Sequence, residues 1–197
     1  MTLTELINNV YTITNRPDRV DETLQAVLSA TLKAHQSDYY WKDLFETGVA
    51  FTTADYIQQL DYRALLPQWR SLKYLRKFDP STNTPGKLLT IVEPLNVFDD
   101  YSLQKTDIAY AAGQYINIKS CTQQQYYLLG CYLNPNVTQS GYSSWVALDH
   151  PWAIIYEAAS QVFMAIGKDE EYARYQQTII PQQIAMLKTS NIQATGS

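Results

Sequence analysis

Few residues in this 197-residue chain have the types or spacing for chemistry: His35 and His150, Cys121 and Cys131, and the carboxylate pairs Asp99-Asp100 and Glu170-Glu171. His150 follows Asp149, a juxtaposition that suggests a charge pair. It also precedes Pro151, which makes a packing or capping residue at a helix entry the simpler assignment. His35 falls near the end of an apolar-periodic stretch, where an imidazolium complements the carbonyl end of a helix. The two cysteines lie ten residues apart in strand-like sequence, far from either histidine, and do not make a metal-ligand set. They read as buried reduced thiols, or as a single bridge. Asp99-Asp100 reads as a solvated turn, and Glu170-Glu171 as favourable charge on a helix start. No G-x-S-x-G elbow, phosphate-binding glycine loop or H-E-x-x-H helix is present. Seven glycines supply little of the special backbone that phosphate loops need. The expectation is a protein that is not an enzyme, with no cofactor and no metal.

Composition points to surfaces instead. Only 17% of residues are charged, against about 25% in ordinary soluble proteins. The polar surface must then come from amides, hydroxyls and 16 tyrosines. Interface cores favour that balance, being depleted in Lys and Glu and enriched in Tyr and Trp. The net charge of −4 and the lack of a basic stripe argue against nucleic-acid binding as the main activity. The densest basic run, Arg70, Lys73, Arg76 and Lys77, reads as a solvated strand or loop edge. No uninterrupted apolar run approaches eighteen residues and no signal peptide is evident, so synthesis in a cytoplasm is expected.

The elements follow from periodicity. Thr2 and Glu5 form a capping box, after which Leu3, Leu6, Ile7 and Val10 line one helical face. The Asn15-Arg16-Pro17-Asp18 turn leads into a second helix running to about Gln36, capped by Asp18 or its neighbour. From about Thr47 the period becomes two. Strand-like runs are predicted at 48–52, 56–60, 72–78, 88–93, 107–112, 114–119 and 125–133, with loops at 81–86 and 98–105 and a hairpin turn at Ala112-Gly113. A helix then enters at Pro151 with Asp149 as its cap, and ends at Gly167 as a left-handed cap. It is apolar almost all round, with Trp152, Ile155, Val162, Phe163 and Ile166 as core packing residues. Glu157, Ser160 and Gln161 form its one narrow polar stripe. Beyond Gly167 a further helix meets Pro181, which is expected to kink or end it.

Two helices, a block of strands and two helices make an α+β fold. The prediction is a four-helix core of residues 1–46 and 146–180, an inserted antiparallel β module of 47–145 and a C-terminal arm of 181–197. The arm reads as a frayed terminus or as an apolar segment that orders only against a partner.

Three stretches carry a resemblance: VYTITNRPDRVDETLQAVLSATLKAHQSDYYWKDL (10–44), KFDPSTNTPGKLLTIVEPLNVFDDY (77–101), and SSWVALDHPWAIIYEAASQVFMAIGKDEE (143–171) preceded by the YYLLGCYLNPNVT strand. In this order they resemble the head–tail adaptor, or connector, proteins of tailed bacteriophages of the short-tailed type. The resemblance implies a virion protein at the head–tail interface, forming a ring, usually of twelve copies, beneath the portal protein. The helical core would line the channel through which genomic DNA passes without specific binding. The β module would face the tail and nozzle proteins through loops such as 81–86, and the arm would dock on the portal through Pro181, Ile184, Leu187 and Ile192. Such a protein is expected to be monomeric alone and to form rings on the portal. The alternatives are a tail-completion or stopper protein on the same axis and, from another class, a glycan-binding module with Tyr126, Tyr127 and Trp145 as stacking platforms.

Overall fold

A computed structural model describes residues 1–51, 57–97, 107–119 and 125–195. Asp99-Asp100, the 98–105 loop and Cys121 fall outside them. The chain forms a mixed α+β fold in two compact units, Met1–Asp43 with Asn134–Ser197, and Leu44–Leu133. Among the described residues, no helix is long and apolar enough to cross a membrane.

In the first unit, α1 (Leu3–Thr14) opens on the capping box: the Glu5 amide donates to Thr2 Oγ1 at 3.3 Å and the Thr2 amide to Glu5 Oε2 at 2.7 Å. It closes on Asn15 in the left-handed region (φ 54°), a conformation asparagine tolerates better than most residues. Helix α2 (Val20–Gln36) has no side-chain cap; the Asp18 carboxylate is taken by Nε and Nη2 of Arg16, each at 2.8 Å. That bidentate pair holds the Asp18 carboxyl down at about 2.

After the strands the chain re-enters this unit. A short helix, numbered α5 in chain order (Trp145–Asp149), is capped by Ser144, whose hydroxyl accepts from the Ala147 amide at 3.1 Å. Helix α6 (Pro151–Ala165) begins directly after it, with proline in the first turn and no side-chain cap. Asp149, the expected cap, reaches Lys42 Nζ at 2.5 Å instead. Gly167 at φ 73° ends α6 as expected. The Gly167 amide donates to the Met164 carbonyl and the Lys168 amide to that of Phe163, which satisfies the last turn. Then come α7 (Asp169–Arg174), one π-helical turn (Tyr175–Ile179) and α8 (Ile180–Thr195). Leu6 and Val10 of α1, Val27 and Ala30 of α2, Ile154, Ala158 and Val162 of α6, and Leu187 of α8 share one core. Alanines on both α2 and α6 let those backbones approach closely.

The second unit holds β1 (Leu44–Phe51), β2 (Ile57–Asp61), α3 (Tyr62–Leu65), β3 (Trp69–Asp79), β4 (Thr84–Leu88), β5 (Thr90–Ile91), α4 (Pro94–Val97), β6 (Ile108–Ala112), β7 (Tyr115–Lys119) and β8 (Gln125–Leu133). Two sheets form, ordered β1-β8-β3-β4 and β2-β7-β6-β5. Leu75, Tyr127 and Leu129 of the first share a buried cluster with Ala109, Ile116 and Ile118 of the second. Pairing is antiparallel except for β5 on β6, a parallel pair that the antiparallel expectation did not include. The β6–β7 hairpin turns at Gly113 (φ 61°), one residue from the predicted centre. Residues 81–86, expected to be a loop, are only partly so: Thr84 already pairs with Asp79, leaving a short turn with Asn83 at φ 54°. Gly130 sits opposite Tyr74, whose ring lies 2.5 Å from where a Cβ on residue 130 would be.

Candidate functional site

The candidate functional elements are the terminal helix, its seat, and the faces of α6. Pro181 lacks an amide and its ring crowds the carbonyl four residues back, so an α-helix cannot pass it unchanged. The chain solves this with the π turn ahead of it: the Ile180 amide donates to the Tyr175 carbonyl, five residues back. The helix therefore neither ends nor frays at Pro181, and α8 runs on to Thr195.

One face of α8 is seated. Ile180 is buried, Ile184 packs against the core, Leu187 is 0% exposed, and the Asn191 side-chain oxygen accepts from the Trp41 amide at 3.2 Å. Their spacing of four, three and four residues is one helical stripe. Of the residues expected to dock on a partner, Leu187 and Ile184 are thus committed to their own chain, while Ile192 is 53% exposed and Pro181 is exposed. The seat is imperfect: a space of about 70 Å³ remains between α2, α6 and α8, lined in part by Ala30, Ala153, Glu157, Ile180 and Ile184.

Helix α6 keeps Ile155, Val162 and Phe163 in the core, as expected, with Ile166 half-buried at its end. Trp152 departs from this, being 42% exposed and stacked on Tyr156 at 5.3 Å. Most of the polar stripe of α6 is covered. Glu157 is 4% exposed and Ser160 is fully buried. Glu157 Oε1 accepts from Lys33 Nζ at 2.7 Å and from Gln161 at 3.2 Å, and Ser160 accepts from Gln176 at 2.8 Å. Burial of a polar group is tolerated once it is hydrogen-bonded. Glu157 Oε2 is buried and has no hydrogen-bond partner among the described residues.

The sequence reading missed a second feature. His35, assigned to the helix dipole, is fully buried and bridges two segments: Nδ1 lies 2.9 Å from Asp43 Oδ1 and Nε2 2.9 Å from Ser144 Oγ. Trp145 Nε1 donates to the same Asp43 oxygen at 2.7 Å. With imidazole neutral, Nδ1–H donates to Asp43 and Nε2 accepts from the Ser144 hydroxyl. The distances are those of a nucleophile–base–carboxylate relay. Their surroundings are not: Ser144 is itself buried and its oxygen already accepts the Ala147 amide. The cluster ties the end of α2 to the Asp43 turn and the start of α5. The 3.6-residue period of α2, with Val27, Thr31 and His35 on one stripe, was the available sign that His35 points inward.

The three aromatic residues weighed as a glycan platform differ in burial and belong to different units. Tyr126 is exposed, Tyr127 is in the β core, and Trp145 belongs to the helical unit against His35 and Tyr40. Cys131 is a buried free thiol whose burial pushes it up to about 11. His150 is the residue before α6 and makes no side-chain cap. Among the described residues, no cluster of three or more His, Cys, Asp or Glu could hold a metal ion. No family model matches the chain, and no curated protein matches it either.

Proposed function

We propose that this protein is a structural virion component, the head–tail adaptor that joins the portal to the tail of a short-tailed phage. The observation that carries the reading is the terminal helix: one stripe of α8 is seated on its own chain, while Met186 and Ile192 on the same helix stay exposed. Leu148, Trp152 and Met164 add exposed apolar surface in the same unit. Large apolar side chains left in solvent on a lightly charged surface suit a subunit that is packed by others. In this reading copies assemble side by side round a channel, the β unit meets tail proteins, and DNA passes a mildly acidic wall without specific contacts.

The test is to mix the purified chain with the portal protein of the same virus and image the mixture at low resolution. A ring of added density beneath the portal is expected, with the chain monomeric by light scattering when alone. Retention on immobilised tail proteins but not on portal would replace the adaptor reading with that of a stopper.

A further inference from the structure

We propose that the cleft lined by Tyr62, Arg63, Pro67, Trp69 and Arg70 in the β unit binds an acidic peptide segment of a partner protein, a carboxylate meeting the Arg63 guanidinium while the neighbouring side chain lies on the aromatic wall. The cleft measures about 550 Å³, inside the range of roughly 300–1,000 Å³ typical of ligand sites. It forms where β2 passes through the single turn of α3 into β3. Asp61 makes that passage possible by capping α3, its Oδ1 accepting from the amides of Arg63 and Ala64 at 3.0 and 3.1 Å.

The wall is rigid before anything binds. Tyr62 and Trp69 stack with ring centroids 4.6 Å apart, and the Tyr62 hydroxyl donates to the Gly113 carbonyl at 2.8 Å, tying it to the β6–β7 turn. Both rings are half-buried against the β core. A preset wall loses little side-chain freedom on binding. Across from it, Arg63 is exposed and makes no ion pair with a described residue. None of the described residues that line the cleft is a carboxylate. In a chain of net charge −4, Arg63 is thus an exposed cation beside an aromatic pair. Tyr, Trp and Arg are the residues that dominate protein-binding hot spots, and a guanidinium fork matches a carboxylate in geometry and charge.

The test uses the full chain and two dye-labelled, acetylated heptapeptides. One alternates glutamate with leucine and tyrosine; the other has glutamine at each glutamate. Fluorescence anisotropy is expected to show binding of the glutamate peptide only, weakening with added salt. Arg63→Glu lies on an exposed side chain and should weaken it by roughly tenfold or more, the worth of one charge-assisted hydrogen bond. Lys73→Ala, on the same strand as Trp69 but outside the cleft, should leave it unchanged. Trp69→Ala should also weaken it, and a circular dichroism spectrum matching the parent's separates that loss from unfolding. Equal binding of both peptides, no binding at millimolar peptide, or an unaltered affinity in Arg63→Glu would overturn the proposal. Tighter binding of oligogalacturonate or of a single-stranded oligothymidylate, run as parallel arms, would overturn it in favour of an acidic sugar or a nucleic acid.

Discussion

Replacing Leu187 with alanine tests whether α8 is a seated helix or a free arm. Leu187 is 0% exposed, in contact with the helical core. Truncating a buried leucine costs about 2–5 kcal/mol in lost transfer energy and cavity. The loss here is capped by the free energy that holds α8 down. Full burial of a large aliphatic side chain is worth about 1.5–3 kcal/mol, so the Ile180, Ile184 and Leu187 stripe supplies on the order of 5 kcal/mol before ordering costs. Fixing each residue's backbone costs about 1–2 kcal/mol, which helical hydrogen bonds only partly offset, so α8 is held marginally. Leu187→Ala should therefore release the helix rather than merely loosen it. Hydrogen exchange of the α8 amides should rise toward that of a free peptide while α6 stays protected. The melting temperature of the helical unit should fall on the order of 10 °C, at about 4–8 °C per kcal/mol for a unit of this size. Ile192→Ala, at a position 53% exposed, should change stability by no more than about 0.5 kcal/mol. A Leu187→Ala protein with parental exchange in α8 and a melting point within a degree or two of the parent would refute the seat.

Phe163→Asp places an unpaired carboxylate in the core beside Tyr175, with ring centroids now 5.4 Å apart. It should cost about 4–5 kcal/mol or more and leave the chain insoluble or molten by near-ultraviolet circular dichroism. Gln161→Lys, at a half-buried position that keeps a donor toward Glu157 Oε1, should leave the melting point near the parent's. Gly130→Ala should destabilise the β unit by about 1–3 kcal/mol in urea titrations, because its methyl meets the Tyr74 ring. The Asp107 carboxyl is held below its ordinary value by its hydrogen bond from Lys77, with Lys87 adding to it. A carboxyl lowered in the folded state stabilises above its unfolded value, about 3.9, and that contribution is lost as pH falls through the folded value. Urea midpoints should therefore drop below about pH 4 in the parent and less steeply in Asp107→Asn, a residue equally able to hold the φ of 63° there.

What was legible in the sequence is what local chemistry decides. The capping box at Thr2 and Glu5 and the Gly167 cap form as read, and the hairpin turn falls one residue along from Ala112-Gly113, because each is settled within a few residues. The strands lie close to the predicted runs, since alternation and turn residues both mark them. Three of the failures share one cause, competition from residues far along the chain. Asp149 is an adequate cap by sequence, yet Lys42 takes its carboxylate from 107 positions away. The Glu157 stripe shows in the sequence only as a narrow polar face, and its partner Lys33 lies 124 positions distant. His35 finds Ser144 across 109 positions. Pro181 is a different failure: the rule that proline breaks a helix holds for an i to i−4 ladder, and one turn widened to i−5 removes the conflict. The polar residues least well read are thus the ones that join separate segments. A buried carboxylate with one oxygen unpaired, beside a 70 Å³ space under a marginally held helix, is where that joining is weakest. Glu157→Leu should accordingly fill the space and raise the melting point, at the cost of the Lys33 contact. A lower melting point would show instead that the ion pair outweighs the unpaired oxygen.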